Sequence, residues 1–197
     1  EYYYSNNFRW ENDLNKSTYL RRSGEYDLHF LKIGVRHTAI DNYIYFAEDA
    51  KPAQTSEAVN VTSIFTRIDF KHKWLEVSGF ASLQKTDNED VLHLPLLSCK
   101  MKIGCNINLV KGISLLQPSV VIQYFTKYYA DSYMPSLRTF HLQNDVMIGN
   151  YPFIDLYLTM KLKRANIFVG YTNVYSITYD CRYFTTPHYP MRDSKIL

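Results

Sequence analysis

The chain has 197 residues, is 46% hydrophobic and 21% charged, and carries a net charge of +3. That length suits one domain with a sizeable core, and the small charge gives no ground for nucleic-acid binding. No apolar run approaches the ~18 residues of a transmembrane helix, and the mean hydropathy is −0.28.

In chain order, Tyr2–Trp10 and Tyr26–His37 read as strands, the second with Leu31, Ile33 and Val35 as its apolar phase. Ile40–Phe46 reads as a further strand, and Ala47–Ser56, with Pro52, as a loop. Next comes a hairpin that pairs Ile64, Ile68 and Phe70 with Ala81, Val77 and Leu75 about His72-Lys73. A polar connection, Lys85–Leu92, follows.

The most regular stretch is 97–109. Leu97, Cys99, Met101, Ile103, Cys105, Ile107 and Leu109 fall on one side of a strand, while Lys100, Lys102, Asn106 and Asn108 fall on the other. At roughly 3.4 Å per residue this apolar face spans about 20 Å, close to the ~25 Å band of a transmembrane barrel. After Lys111 the apolar phase becomes even, through Leu116, Pro118, Val120, Ile122 and Tyr124. This predicts a hairpin pairing Leu109 with Leu116, Cys105 with Val120 and Ile103 with Ile122, centred on Gly112-Ile113.

A long polar connection, Tyr129–Asn150, leads to Asn150-Tyr151-Pro152 and a strand over Phe153–Lys163. Proline is tolerated at a strand start, and here it fixes the approach of the chain. A third hairpin pairs Leu158, Met160 and Leu162 with Tyr171, Val169 and Ile167 about Arg164-Ala165. It and the His72-Lys73 hairpin lack Asn-Gly or Gly-X chemistry, so slightly longer loops are expected there. From Tyr175 onward, with Pro187 and Pro190, the chain reads as loop.

Short turns alternating with long polar connections are the pattern of an outer-membrane barrel, with short turns periplasmic and long loops extracellular. The expected fold is therefore all-β, an antiparallel transmembrane β-barrel built as a meander of hairpins over residues 1–197. The 18 Tyr and 11 Phe suit aromatic girdles at the two membrane interfaces. The expected lipid-facing set is Cys99, Met101, Ile103, Cys105, Ile107, Val120, Ile122, Leu158, Met160 and Val169. The expected pore-lining set is Lys32, Arg36, Arg67, Asp69, Glu76, Lys100, Lys102, Lys127, Asp155 and Lys161. Its basic excess implies a lumen that concentrates anions, although Lys71, Lys161 and Lys163 sit near turns where they meet water.

Cys99 and Cys105 stand about 20 Å apart on one strand, beyond the ~7 Å a disulfide allows; Cys181 falls in a loop-like region without an assigned role. The six histidines show no metal-ligand spacing, and no glycine-rich phosphate loop or nucleophile elbow occurs. Neither catalysis, metal nor cofactor is expected.

Residues 129–171 carry a more specific pattern. FHLQND (140–145), IGNYPFIDLYL (148–158) and KLKRANIFVGY (161–171), supported by NYIYF (42–46) and YFTTPHYPMRD (183–193), resemble the putative porin family of Bacteroidetes, specifically its C-terminal portion. The resemblance implies a large outer-membrane barrel whose motifs are structural rather than catalytic. Its members have further N-terminal strands and a closing strand after the HYPMRD segment, so this chain is expected to form part of a larger barrel.

Two functions fit: a diffusion channel for small hydrophilic solutes, or a non-conducting barrel that anchors a surface or secretion complex. Outer-membrane lipid, lipopolysaccharide, small solutes and a second copy or another outer-membrane protein are the expected partners. A soluble lipocalin-like protein would instead turn the apolar phase inward.

Overall fold

The computed structural model describes residues 2–4, 9–110, 114–179 and 186–197. The strands are β1 (Tyr2–Tyr4), β2 (Arg9–Glu11), β3 (Thr18–Leu28), β4 (Leu31–Asp41), β5 (Ile44–Phe46) and β6 (Pro52–Gln54). They continue with β7 (Val59–His72), β8 (Leu75–Thr86), β9 (Leu97–Cys105), β10 (Ile107–Val110), β11 (Ser114–Phe125) and β12 (Tyr128–Tyr129). Last come β13 (Ser132–Met134), β14 (Thr139–His141), β15 (Met147–Ile148), β16 (Phe153–Leu162), β17 (Ala165–Thr172) and β18 (Lys195–Ile196). A short 3-10 turn, Val174–Ile177, follows β17.

One antiparallel sheet runs β3-β4-β7-β8-β9-β11-β16-β17-β18, with β10 added against β11. Every wall strand pairs with the next wall strand in sequence, so the sheet is a meander. Among the described residues its two edges do not pair with each other, and the sheet is an open wall. The links His29-Phe30, Lys73-Trp74 and Lys163-Arg164 lie at one end. The long connections, 42–58, 87–96, 126–152 and the described parts of 173–194, lie at the other.

The expected registers need correction by two residues. Ile64 pairs with Leu83 and Phe70 with Val77, so the turn is Lys73-Trp74 rather than His72-Lys73. Leu158 pairs with Val169 and Met160 with Ile167, which moves the third turn to Lys163-Arg164. Both are tight two-residue turns instead of longer loops. Ile103 pairs with Val120 and Met101 with Ile122, and Leu116 meets Ile107 rather than Leu109. The turn proposed at Gly112-Ile113 and the residue Cys181 lie outside the described residues. Alternation has period two, so it fixes a face but not which residue of that face is opposite. Each shift is even, so the paired residues of these hairpins keep their predicted faces.

Two strands also differ from expectation. Tyr26–His37 is not one strand: His29, at φ 55°, turns the chain between β3 and β4. The 97–109 strand breaks at Asn106, whose N–H donates to the Trp74 carbonyl at 2.6 Å. Its Oδ1 accepts from Gln117 Nε2 at 2.5 Å. The break faces Gln117 and Pro118, and proline has no N–H to give a ladder.

The connections expected to be plain loop hold short pairs: β5 with β6, β12 with β15, and β13 with β14. They pack into a folded cap at the long-connection end. Trp10, Ala50, Ala130, Leu142, Ile148 and Tyr151 are buried there. Leu142 N–H donates to the Phe46 carbonyl at 2.9 Å, and Asn144 Nδ2 donates to Glu48 Oε1 at 2.7 Å. The Thr186 hydroxyl reaches the Asp131 carbonyl at 2.8 Å. The Tyr151 hydroxyl donates at 2.8 Å to Oδ1 of the fully buried Asn173.

Candidate functional site: the polar face of the wall

Directly paired residues share a face, so the registers sort the wall strands into two surfaces. One carries Ile33, Val35, Ile64, Ile68, Val77, Ile103, Ile122, Leu158 and Val169. All ten residues expected to face lipid lie on it. Many of its side chains are exposed, Ile64 at 52% and Val169 at 46%, and others such as Val77 and Ile122 are half-buried. Cys99 and Cys105 are free thiols on this face.

The opposite surface is polar and is the better covered one. The buried residues of the wall strands are Gly34, Ile40, Val59, Phe65, Ser82, Thr86, Gly104 and Gly170. All of them are on the polar side. A sheet whose few buried positions all lie on its polar face, while its apolar face is left open, is inverted relative to a soluble domain. That inversion counts against the lipocalin-like alternative, which needs the apolar phase inside.

Lys32, Arg36, Arg67, Asp69, Glu76, Lys100, Lys102, Asp155 and Lys161 all lie on this polar face. Lys127 does not belong to the wall: it follows the end of β11 and sits in the connection to β12. Lys32 Nζ pairs with Asp27 Oδ2 at 2.8 Å, and Lys71 Nζ with Glu76 Oε1 at 3.3 Å. Asp155 is occupied twice, accepting from the Asn173 N–H at 2.9 Å and the Tyr157 hydroxyl at 3.2 Å. It anchors the start of the cap instead of standing free. Among the described residues, Arg36, Arg67, Lys100, Lys102 and Lys161 have no carboxylate within 4.0 Å.

The sequence reading missed Asp27, because β3 carries Arg22 and Gly24 at apolar-phase positions and shows no clean alternation. It also passed over the aromatics of the polar face. Phe65 stacks with Phe80 at 6.4 Å between centroids, and Tyr157 with Phe168 at 5.6 Å. Phe65 and Tyr157 each cover a glycine on the neighbouring strand, Gly34 and Gly170. Such pairs fill the gap a strand glycine leaves. An aromatic in the polar phase opposite a glycine was the available signal. The Arg36 guanidinium carbon lies 4.8 Å from the centre of the Phe65 ring, within cation–π range. Its Nε is buried without a hydrogen-bond partner.

Titratable groups outside the wall gather in the cap. His93 Nδ1 is buried, has no hydrogen bond, and stands 4.0 Å from Asp131 Oδ1. Burial pushes the Asp131 carboxyl above its usual range, against the opposing charges of His93 and His141. Burial, reinforced by Asp131, also raises the phenols of Tyr43 and Tyr128. Among the described residues no three His, Cys, Asp or Glu side chains are grouped to hold a metal.

Residues 1–197 match the model of a protein family described as Putative porin. The chain belongs to that family. Neither the curated proteins nor the solved structures give a match. Family membership carries a porin-like outer-membrane role in general terms, and an all-β antiparallel meander suits it.

Proposed function

We propose that the chain forms wall strands of a multi-pass β-barrel in the bacterial outer membrane, a non-enzymatic diffusion channel for small hydrophilic solutes that favours anions. The observation that carries this reading is the inverted wall: one apolar face left open, and an opposite polar face bearing five cations that have no carboxylate partner among the described residues. Unpaired positive charge on a water-filled surface raises the local anion concentration. The open sheet, together with the resemblance to Bacteroidetes members, supports a larger barrel of which this is the C-terminal portion. The apolar face would meet lipid, with lipopolysaccharide in the outer leaflet.

The test is the reversal potential of the intact protein in a planar bilayer across a salt gradient. Anion selectivity is expected, shifting toward cations in the double variant Lys100→Glu, Lys102→Glu. Conductance whose selectivity ignores both changes would remove the anion preference. The folded cap supports the second reading, an anchoring barrel with a structured outer surface, and a protein that conducts nothing would favour it.

A further inference from the structure

Phe80 is an anomaly on the polar face. It is 42% exposed among Ser78, Ser82 and Gln84 of the same strand face. Phe65, at 7% exposure, already covers Gly34, so Phe80 is not required for that filling. One side of its ring stacks on Phe65, and no other ring partner is found among the described residues.

Its neighbours across the sheet are charged. Phe80 pairs directly with Arg67 on β7 and with Lys100 on β9. Directly opposed residues hold their Cβ atoms about 4.5–5.5 Å apart. Arg67 and Lys100 are exposed and have no carboxylate within 4.0 Å among the described residues. Arg36 lies behind them over the Phe65 ring, its Nε buried and unpartnered. Lys32, next in the row beyond Arg67, is neutralised by Asp27. The uncompensated positive charge in this row therefore flanks the aromatic plate.

We propose that this row is a binding site for small anions with a planar apolar body, the class of aromatic carboxylates. The proposal rests on the channel reading for its biological setting. The aromatic ring of such a solute stacks against the open side of Phe80. Its carboxylate takes the guanidinium fork of Arg67, with Lys100 as the second cation. An inorganic anion would gain only the electrostatic part. Preference for a flat ring over an equally charged, puckered one is therefore the mark of the site. A stacking contact is worth a few-fold to about tenfold in affinity.

The probes are benzoate and cyclohexanecarboxylate, which share charge and approximate size. In planar bilayers holding the intact protein, benzoate should block chloride current at a concentration a few-fold lower than cyclohexanecarboxylate. Phe80→Leu should erase that difference while leaving chloride conductance in place, and Phe80→Tyr should keep it. Arg67→Gln should weaken both probes. Saturation-transfer NMR on the detergent-solubilised protein makes the same comparison without current. Equal behaviour of the two probes in the wild type overturns the site, even if chloride flows and the channel reading stands. A benzoate preference that survives Phe80→Leu also overturns it. Phe80-dependent benzoate transfer in a protein that carries no current upholds the site and removes the channel reading.

Discussion

The Phe65 ring lies over Gly34, its direct partner across β4 and β7, and closes the gap a side chain would otherwise fill. A Cβ at Gly34 would collide with Cζ of that ring and stand 2.9 Å from its Cε atoms. Gly34→Ala should therefore destabilise the wall by about 1–3 kcal/mol, as overpacking does. Gly24 pairs with Val35 in the adjoining strand and has nothing within 4 Å of a built Cβ, so Gly24→Ala should change stability by no more than about 0.5 kcal/mol. Urea unfolding in lipid vesicles checks both. Equal costs would mean that the ring does not hold the site shut.

The exposed apolar face leads to a second expectation. Ile103 pairs with Val77 and Val120 near the middle of that face. In a bilayer, Ile103→Arg should cost about 2–4 kcal/mol if the site is close to the midplane. Lys102→Gln, on the opposite face, should be nearly neutral. Folding yields into vesicles distinguish the two, and equal yields would count against a lipid-facing assignment.

Tyr151 and Asn173 tie the cap to the end of the wall. Tyr151 is 1% exposed and Asn173 fully buried. Asn173 accepts from the tyrosine hydroxyl while its Nδ2 donates to the Arg192 carbonyl at 2.7 Å. Tyr151→Phe removes one donor and leaves a buried acceptor unsatisfied, which should cost about 1–3 kcal/mol. Limited proteolysis of the cap should quicken in that variant, with the wall unaffected.

Two carboxyls of the connections should respond to acid in opposite senses. Asp87 is held below the ordinary value of 3.8 by hydrogen bonds from the Asn60 side chain and N–H. Its stabilising effect is present above 3.8 and is lost as pH falls through its lowered value. Asp131 is raised by burial, so ionising it weakens the cap above its raised value, and that cost disappears by 3.8. Hydrogen exchange of 126–152 should show Asp131→Asn more protected than wild type at neutral pH, the gap narrowing with acid. Asp87→Ala should instead loosen 87–96 at neutral pH and matter less at low pH.

The parts of this fold that were legible depended on alternation. In β9, β16 and β17 one phase is apolar throughout, in β11 it is so from Leu116 to Tyr124, and the two faces follow from that alone. Register depends on turns, and here the sequence carried little signal. His29 and Lys73 adopt φ of 55° and 47° without being glycine or asparagine. These residues gave no sign of a left-handed turn. Hence the β3–β4 hairpin went unseen and the Lys73-Trp74 turn was misplaced by one position. The basic face was readable as a set of residues, but its pairing was not. Lys32 is neutralised by Asp27 from a strand with no visible period, whereas Lys100 and Lys102 have no carboxylate partner among the described residues.

The cap joins segments that are distant along the chain: Asn144 with Glu48, Thr186 with Asp131, Asn12 with Pro52. Three hairpins of the wall, β3–β4, β7–β8 and β16–β17, close over two residues each. Loop-closure entropy makes distant contacts slow to form and neighbouring ones fast. Assembly should therefore run in one direction, hairpins first and the outer crust last. During that interval the connections remain loose strings above hairpins already in place.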